Sequence, residues 1–291
     1  MYSLEHSLNI VGVARLLLIS LQNSSAPVTT TARKAPMPTV FVTGSTTGLG
    51  RAAAEQLLDT GHQVVLHARS TERAAEFGDL ADRATGTVIG DLANAADVRS
   101  VAEQANSYGQ FDAVIHNAGV YLEDQRVVTD DGHARVLAIN VLAPYVLTVL
   151  MHRPERLVYL SSMMHTLGTT SLDDLDWTER PWHPAQAYGD SKLLLTTFAA
   201  AIARRWPDVC SSAVDPGWVP TRMGGIGATD DLALGHVTQC WLAVSDDSMA
   251  TTSGKYWYHQ EAQSPADAVT DHTFQDAVLA ELARLTGVEL P

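Results

Sequence analysis

The chain has 291 residues, of which 46% are hydrophobic, enough for the core of one large α/β domain or two small ones. A formal charge of -14 opposes nucleic acid and anionic lipid as partners, because both would be repelled. The two cysteines, Cys210 and Cys240, lack metal-ligand spacing and read as small core residues of a reducing, cytoplasmic compartment, so no metal site is expected.

Residues 1–36 stand apart: an apolar stretch over 8–21, interrupted by Arg15, precedes a Ser/Thr/Ala/Pro-rich run. The stretch is too short to span a bilayer and no basic residue precedes it, so a flexible extension without a stable membrane anchor is expected. Met37 offers a second position for translation to start.

From residue 38 onward strands and helices alternate. Residues 38–42 form a β-branched run that reads as a buried strand, and the glycine-rich Thr43-Gly44-Ser45-Thr46-Thr47-Gly48-Leu49-Gly50 leads from it into a helix over 51–59, stopped by Gly61. A glycine turn between strand and helix lets the backbone approach a pyrophosphate, whose charge sits on the helix N-terminus. The second strand, 63–68, ends in Arg69 and Ser70. At that place an acid favours a free ribose 2′-hydroxyl and an arginine a 2′-phosphate, so NADP(H) is favoured, with NAD(H) kept as the alternative. Further strands are expected at 85–90, 111–116, 156–160, 211–214 and 255–258, with helices at 72–82, 97–108, 132–150, 187–205, 232–244 and 273–286. Repeated β-α units imply an α/β fold in which a single doubly wound parallel sheet, a Rossmann fold, carries helices on both faces. The last helix is expected to pack on the sheet edge. The helix over 187–205 has no charge between Lys192 and Arg204, which implies burial on more than one face and points to a partner subunit, with the chain's own loops as the alternative cover.

The chemistry centres on Tyr188 and Lys192, which lie on one helical face at a spacing of four. A neighbouring ammonium lowers a phenol's pKa, so Tyr188 is expected to work as a general acid or base near neutrality. Hydride transfer to a carbonyl leaves an alkoxide that needs such an acid, and also a donor to polarise the carbonyl. Ser162, at the end of the strand over 156–160, fits the second role.

Placed in this order, the motifs resemble the short-chain dehydrogenase/reductase family, whose classical branch carries Thr-Gly-x-x-x-Gly-x-Gly, and the resemblance covers nearly everything after Met37. It implies that Ser162 is the catalytic member of the Ser161-Ser162 pair and Ser161 structural. Lys192 would bind the nicotinamide ribose beside Tyr188, and Asn140 would link the lysine to solvent through water. Asp91-Leu92 looks like the family's adenine-contacting pair. His116-Asn117-Ala118-Gly119 looks like its Asn-Asn-Ala-Gly, with histidine departing from the first position. Asp215-Pro216-Gly217-Trp218-Val219-Pro220-Thr221 resembles the family's Pro-Gly-x-Val-x-Thr, which meets the nicotinamide carboxamide, and residues 222–227 suggest a lid or a plain connecting loop. The long connection before Tyr188, with Asp173, Asp174, Trp177 and Trp182, is similar to the retinol dehydrogenase-like subgroup. Met163, Met164, Trp182, Trp218 and Met223 are candidates for an apolar pocket, ordinary packing being the alternative. These features imply an oxidoreductase acting on a small carbonyl or alcohol substrate, expected to be a homo-oligomer. A cofactor-binding regulator of the same fold without turnover is the alternative.

Overall fold

The computed structural model describes residues 37–121 and 123–291, so the expectations for residues 1–36 lie outside the described residues. In chain order come β1 (Thr39–Val42), α1 (Gly48–Asp59), β2 (Gln63–Ala68), α2 (Thr71–Ala74), α3 (Asp79–Arg83), β3 (Gly86–Ile89), α4 (Ala95–Asn106) and β4 (Ala113–His116). There follow α5 (Arg135–Leu137), α6 (Ala143–Leu150), β5 (Arg156–Leu160), α7 (Pro184–Arg205), β6 (Cys210–Asp215), α8 (Val237–Val244), β7 (Tyr256–Tyr258), β8 (Glu261–Gln263), α9 (Asp267–Thr270) and α10 (His272–Thr286). The strands form one sheet in the order β3-β2-β1-β4-β5-β6-β7-β8, parallel except for the β7/β8 pair. The order reverses direction between β1 and β4, which opens a crevice at the carboxyl ends of those two strands.

Alternation along each strand divides the core. Phe41, Val65, Val114, Leu157 and Tyr159 face the layer built by α4, α6, α7 and α10, while Val40, Val42, Leu66, Ile115, Val158 and Trp257 face α1 and α8. Local signals set the helix ends: the Asn94 side chain accepts from Asp97 N at 3.0 Å to cap α4, and Gly287, at φ +65°, closes α10 in the left-handed region.

Several expectations are corrected. The helix over 72–82 is broken, because Gly78 at φ +57° separates α2 and the following 3-10 turn from α3. The helix over 132–150 begins at Arg135 and passes through a π-turn, Ala138–Leu142, before α6. That over 232–244 begins at Val237. β8 was not expected; its Glu-Ala-Gln is exposed throughout and carries no apolar signal. α10 packs on α7 rather than on the sheet edge, tied by Arg204 to Gln275 at 2.8 Å and by Arg204 and Arg205 to Asp276. α7 is therefore covered by α9, α10 and the 3-10 turn Met163–Leu167, and the burial that suggested a partner subunit is supplied within the chain.

Candidate functional site

The crevice side begins with the glycine turn. Thr43 Oγ1 accepts from the backbone N–H of Asn117 and of Ala118, both at 3.0 Å, which fastens the end of β1 to the loop after β4. The Asn117 amide donates to the carbonyls of Thr43 (3.0 Å) and Gly44 (3.2 Å). Gly50 must be glycine, since a Cβ there would lie 2.4 Å from both Asn117 Nδ2 and Gly44 O. Gly44 sits at φ +63°, and its N–H donates to His67 Nδ1 at 2.9 Å. The other ring nitrogen of His67 meets Gly90 O at 3.0 Å, so Nε2 carries the proton and the ring is a neutral strut from β2 to both neighbouring loops. Burial pushes the His67 pKa down to about 4, which agrees with that neutral form. Ser45 is buried, and its hydroxyl accepts from His67 N at 2.9 Å. The α1 N-terminus has no side-chain cap and no acidic residue in its first turn, so its dipole is free to receive an anion. Gly48 at φ +60° faces Thr221, 3.9 Å from where a Cβ would be, so the loop after β6 reaches the same turn as the sequence order implied.

On the ribose side Arg69 is exposed and Ser70 caps α2 by accepting from Arg73 N at 3.3 Å. Arg73, which sequence reasoning did not single out, reaches back so that its Nη2 lies 3.3 Å from Thr46 Oγ1. It lies four residues after Arg69, across the Ser70 cap of α2, and a second arginine just past the strand end was the available signal. Asp91 ends β3 with its Oδ1 accepting from Ala93 N at 2.9 Å, while Leu92 is buried. Leu92 also lines a cavity of about 220 Å³ between α4, α6 and the segment 129–133, away from the tyrosine and lysine. No other sequence-identified site residue lines it.

The structure brings together the residues that the sequence offers as catalytic. Ser162 lies beside the Tyr188 phenol and opposes the rise in its pKa, and Ser162 Oγ accepts from Met164 N at 3.2 Å. Ser161 turns inward instead, 2.5 Å from Thr196 Oγ1. Lys192 Nζ donates to Leu160 O at 2.6 Å and lies 5.5 Å from the centroid of the Tyr188 ring. Gly119 faces it, 3.8 Å from Nζ to the position of a Cβ. Asn140 sits in the π-turn, where its amide pairs with the backbone of Val120 (2.9 and 3.1 Å) and donates to Ser191 Oγ at 3.0 Å. Tyr121 packs edge-on to Tyr188, with centroids 4.6 Å apart.

One expectation about this pair is overturned. Burial pushes the Tyr188 pKa above that of an ordinary phenol, with Ser162 opposing the shift and Asp215 and Tyr121 adding to it. The ammonium is directed at Leu160 O, and its own pKa is lowered to about 8 by burial, against an opposing pull from Asp215. Desolvation outweighs the neighbouring charge. Asp215, which opens the Pro216-Gly217 motif but was given no role there, ends β6 and is buried, and its Oδ2 accepts from Met163 N, next to Ser162, at 2.8 Å.

Beyond Tyr188, Pro216 and Gly217 follow β6, Val219 is buried, and Thr221 Oγ1 accepts from Gly224 N at 3.2 Å to close the turn over 221–224. Of the apolar candidates, Met163 (71%), Trp218 (51%) and Met223 (47%) are exposed, and Met164 is half-buried. Trp182 is held in loop packing by Glu123 O at 2.8 Å and by Trp177. His116, the departure from the family pattern, is a neutral core residue stacked on Tyr159 at 4.8 Å. Its pKa is pushed down to about 3 by burial. Among the described residues no cluster could hold a metal ion, and no helix is long and apolar enough to cross a membrane.

Comparison with known proteins gives this geometry a context. The model of the family described as short chain dehydrogenase matches residues 38–172. The short-chain dehydrogenase chyC of Penicillium rubens is 38% identical over 258 residues, covering 88% of this chain and 100% of that protein. Human retinol dehydrogenase 13 is 30% identical, covering 97% of this chain and 93% of the relative. Among solved structures, a protein of Mycobacterium paratuberculosis aligns with a TM-score of 0.74 at 25% identity, covering 87% of this chain and 95% of its own.

Proposed function

Because the chain belongs to the short-chain dehydrogenase/reductase family and is therefore an NAD(P)-dependent oxidoreductase, we propose that it interconverts an apolar carbonyl compound and its alcohol using NADP(H), with Tyr188 as acid and base. The observation that carries this reading is the buried Tyr188 phenol beside Ser162, with the Lys192 ammonium 5.5 Å from the centroid of its ring. The uncapped α1 N-terminus and the turn that leaves no room for a Cβ at Gly50 fit a bound pyrophosphate. When bound, the dinucleotide supplies or accepts the hydride.

The chain's own residues do the rest. Ser162 polarises the carbonyl oxygen, and Tyr188 delivers the proton to it. Lys192 places a cation beside the ring, and Asn140 fixes the π-turn against Val120 and Ser191. Support for NADP(H) comes from two arginines, the exposed Arg69 and Arg73 on Thr46, where no acid ends β2. Support for an apolar substrate comes from the thioether and indole groups of Met163, Met223 and Trp218 on the loops after β5 and β6, together with a 30% identical relative named for retinol. Because α9 and α10 cover α7 within the chain, the uncharged run of that helix does not call for a partner subunit.

The test is oxidation of NADPH and of NADH against aldehydes and ketones of increasing apolar size. Turnover that rises with apolar size and prefers NADPH is expected. Tight dinucleotide binding without turnover on any member would favour the regulator instead.

A further inference from the structure

The connection from the 3-10 turn to α7, residues 168–183, contains a strained residue stacked on a cation. Trp177 adopts φ +56°, a backbone conformation that bulky side chains avoid, and it is buried. The Arg180 guanidinium lies over its ring, 3.6 Å from the centroid, and Nη2 donates to Asp190 Oδ2 at 2.8 Å. We propose that Arg180 is a positioning residue that determines specificity: paired with Asp190, it locks residues 169–182 as a fixed wall beside Tyr188, and that wall sets the preference for bulky apolar carbonyl substrates. The proposal rests on the reading of the protein as a reductase of apolar carbonyl compounds.

Asp190 fastens the wall at both ends. It stands on α7 between Tyr188 and Lys192 in sequence and is 5% exposed. Its Oδ1 accepts from Thr169 N at 2.9 Å, Thr169 Oγ1 at 3.3 Å and Gln186 Nε2 at 2.9 Å, so one carboxylate holds the start of the segment through Thr169 and its end through Arg180. A carboxylate this far from water is costly unless a countercharge and donors meet it, and here both do. Close packing adds to the anchorage. A Cβ on Gly168 would lie 2.4 Å from Leu193 Cβ and 2.9 Å from Gly189 O, so the segment meets α7 with no space between them.

Between its ends the segment is folded on itself. The Asp174 carboxylate accepts from Thr178 N at 2.7 Å and from Glu179 N and Arg180 N at 3.1 Å, while the Asp174 carbonyl accepts from Trp177 N at 3.1 Å and Arg180 Nη2 at 3.3 Å. These bonds and the guanidinium stack hold Trp177 in its left-handed backbone. The outer side is tied to the chain that follows β4: Asp176 accepts from Ala134 N at 2.8 Å and pairs with His133 Nδ1 at 2.9 Å, and Trp182 Nε1 donates to Glu123 O at 2.8 Å. Both supports flank the phenol. α7 carries Tyr188, and Tyr121, from the chain after β4, packs edge-on to it at 4.6 Å. Leu172, Leu175, Trp177 and Trp182 belong to the same apolar cluster as these two tyrosines.

A ketone that reaches the Tyr188 phenol carries its substituents past these flanks. A wall already held in place offers a bulky apolar substituent its surface at once, whereas a loose one must be ordered as the substrate binds, and that cost appears in affinity. The lock therefore bears on the KM of large substrates. Its bonds involve none of the residues assigned to the dinucleotide.

The experiment follows NADPH-dependent reduction of butanedione and phenylpropanedione, which share a reactive diketone and differ in apolar bulk, by wild type, Arg180→Met, Asp190→Asn and the double variant. Hydrogen exchange of residues 169–182, read by mass spectrometry, accompanies the kinetics. Each single variant is expected to lower the large-to-small kcat/KM ratio by about tenfold through the KM of phenylpropanedione, and the double variant to lose no more than either, because the two groups form one lock. The amides of 169–182 should exchange faster in all three. A merely structural loss would lower kcat for both diketones together and leave their ratio unmoved, and that result would overturn the proposal. Single effects that add in the double variant, or a ratio that falls without faster exchange, would overturn it too. If Arg180→Met does not fold, Arg180→Lys decides, since it keeps the charge for Asp190 without the flat stack: its ratio should fall in the same direction, and a ratio equal to that of wild type would overturn the proposal. A wild type that reduces neither diketone would instead remove the proposed function, a separate failure, and exchange of 169–182 as slow in the variants as in wild type would then overturn the lock by itself.

Discussion

The two halves of the crevice bury polar groups in opposite ways. On the phosphate side each buried group is neutral and partnered: His67 spans Gly44 and Gly90, Thr43 takes two amides, and Ser45 takes His67 N. On the catalytic side Lys192, Tyr188 and Asp215 are ionisable groups kept close together, and burial displaces the pKa of both the lysine and the tyrosine. The first half gains stability from its hydrogen bonds; the second holds the electrostatic cost expected of a reacting site under the proposed function. Changes on the catalytic side should therefore cost activity without stability, and changes on the phosphate side should cost stability first.

The largest effect is expected for Lys192→Met, with turnover falling on the order of 10²-fold while the melting temperature stays level or rises, because an apolar chain replaces a buried cation. Steady-state rates paired with thermal melts check this, and a fall of several degrees would break the contrast. Gly50→Ala comes next. Its Cβ would meet Gly44 O, a backbone atom, at 2.4 Å, so a loss of about 1–3 kcal/mol is expected with weaker dinucleotide binding, read by denaturation and cofactor fluorescence.

His67 sharpens the contrast through pH. Its folded pKa, about 4, lies below the ordinary 6.5, so the unfolded chain binds the extra proton between those values. The stability from neutral His67 is complete above 6.5 and is lost as pH falls through about 4. His116, at about 3, adds a component of the same sign. His67→Ala should lose about 1–3 kcal/mol at neutral pH by leaving Gly44 N and Gly90 O unpaired, and should flatten without abolishing this acid slope in chemical denaturation. The smallest effects belong to Arg69→Asp and Arg73→Ala, each shifting the NADPH-to-NADH preference by up to about tenfold, as befits part-exposed charges. Unchanged cofactor preference would remove them from the ribose site.

Legibility followed the same division. The glycine turn, the strand-ending Ser162 and the Tyr188/Lys192 spacing are local patterns, and each strand from β1 to β7 lies within two residues of its expected place. β8 was hidden because an exposed Glu-Ala-Gln has no apolar alternation, and the covering of α7 by α10 is a tertiary choice that an uncharged run cannot distinguish from a subunit contact. The sign of the Tyr188 shift was also out of reach, because a four-residue spacing reveals a neighbouring charge but not the depth of burial that outweighs it. Asp215, legible only as the residue that opens the Pro216-Gly217 motif, had no readable role for a related reason: its partners, Met163 and Tyr256, are 52 and 41 residues away.

The most direct measurement is single-turnover reduction of one reactive ketone by NADPH-saturated wild type and Tyr188→Phe, with cofactor affinity measured in both. A loss of about 10²-fold or more at unchanged cofactor affinity is the expected result for removing a general acid. Equal rates in the two proteins would contradict Tyr188 as the proton donor, and with it the proposed chemistry of the site.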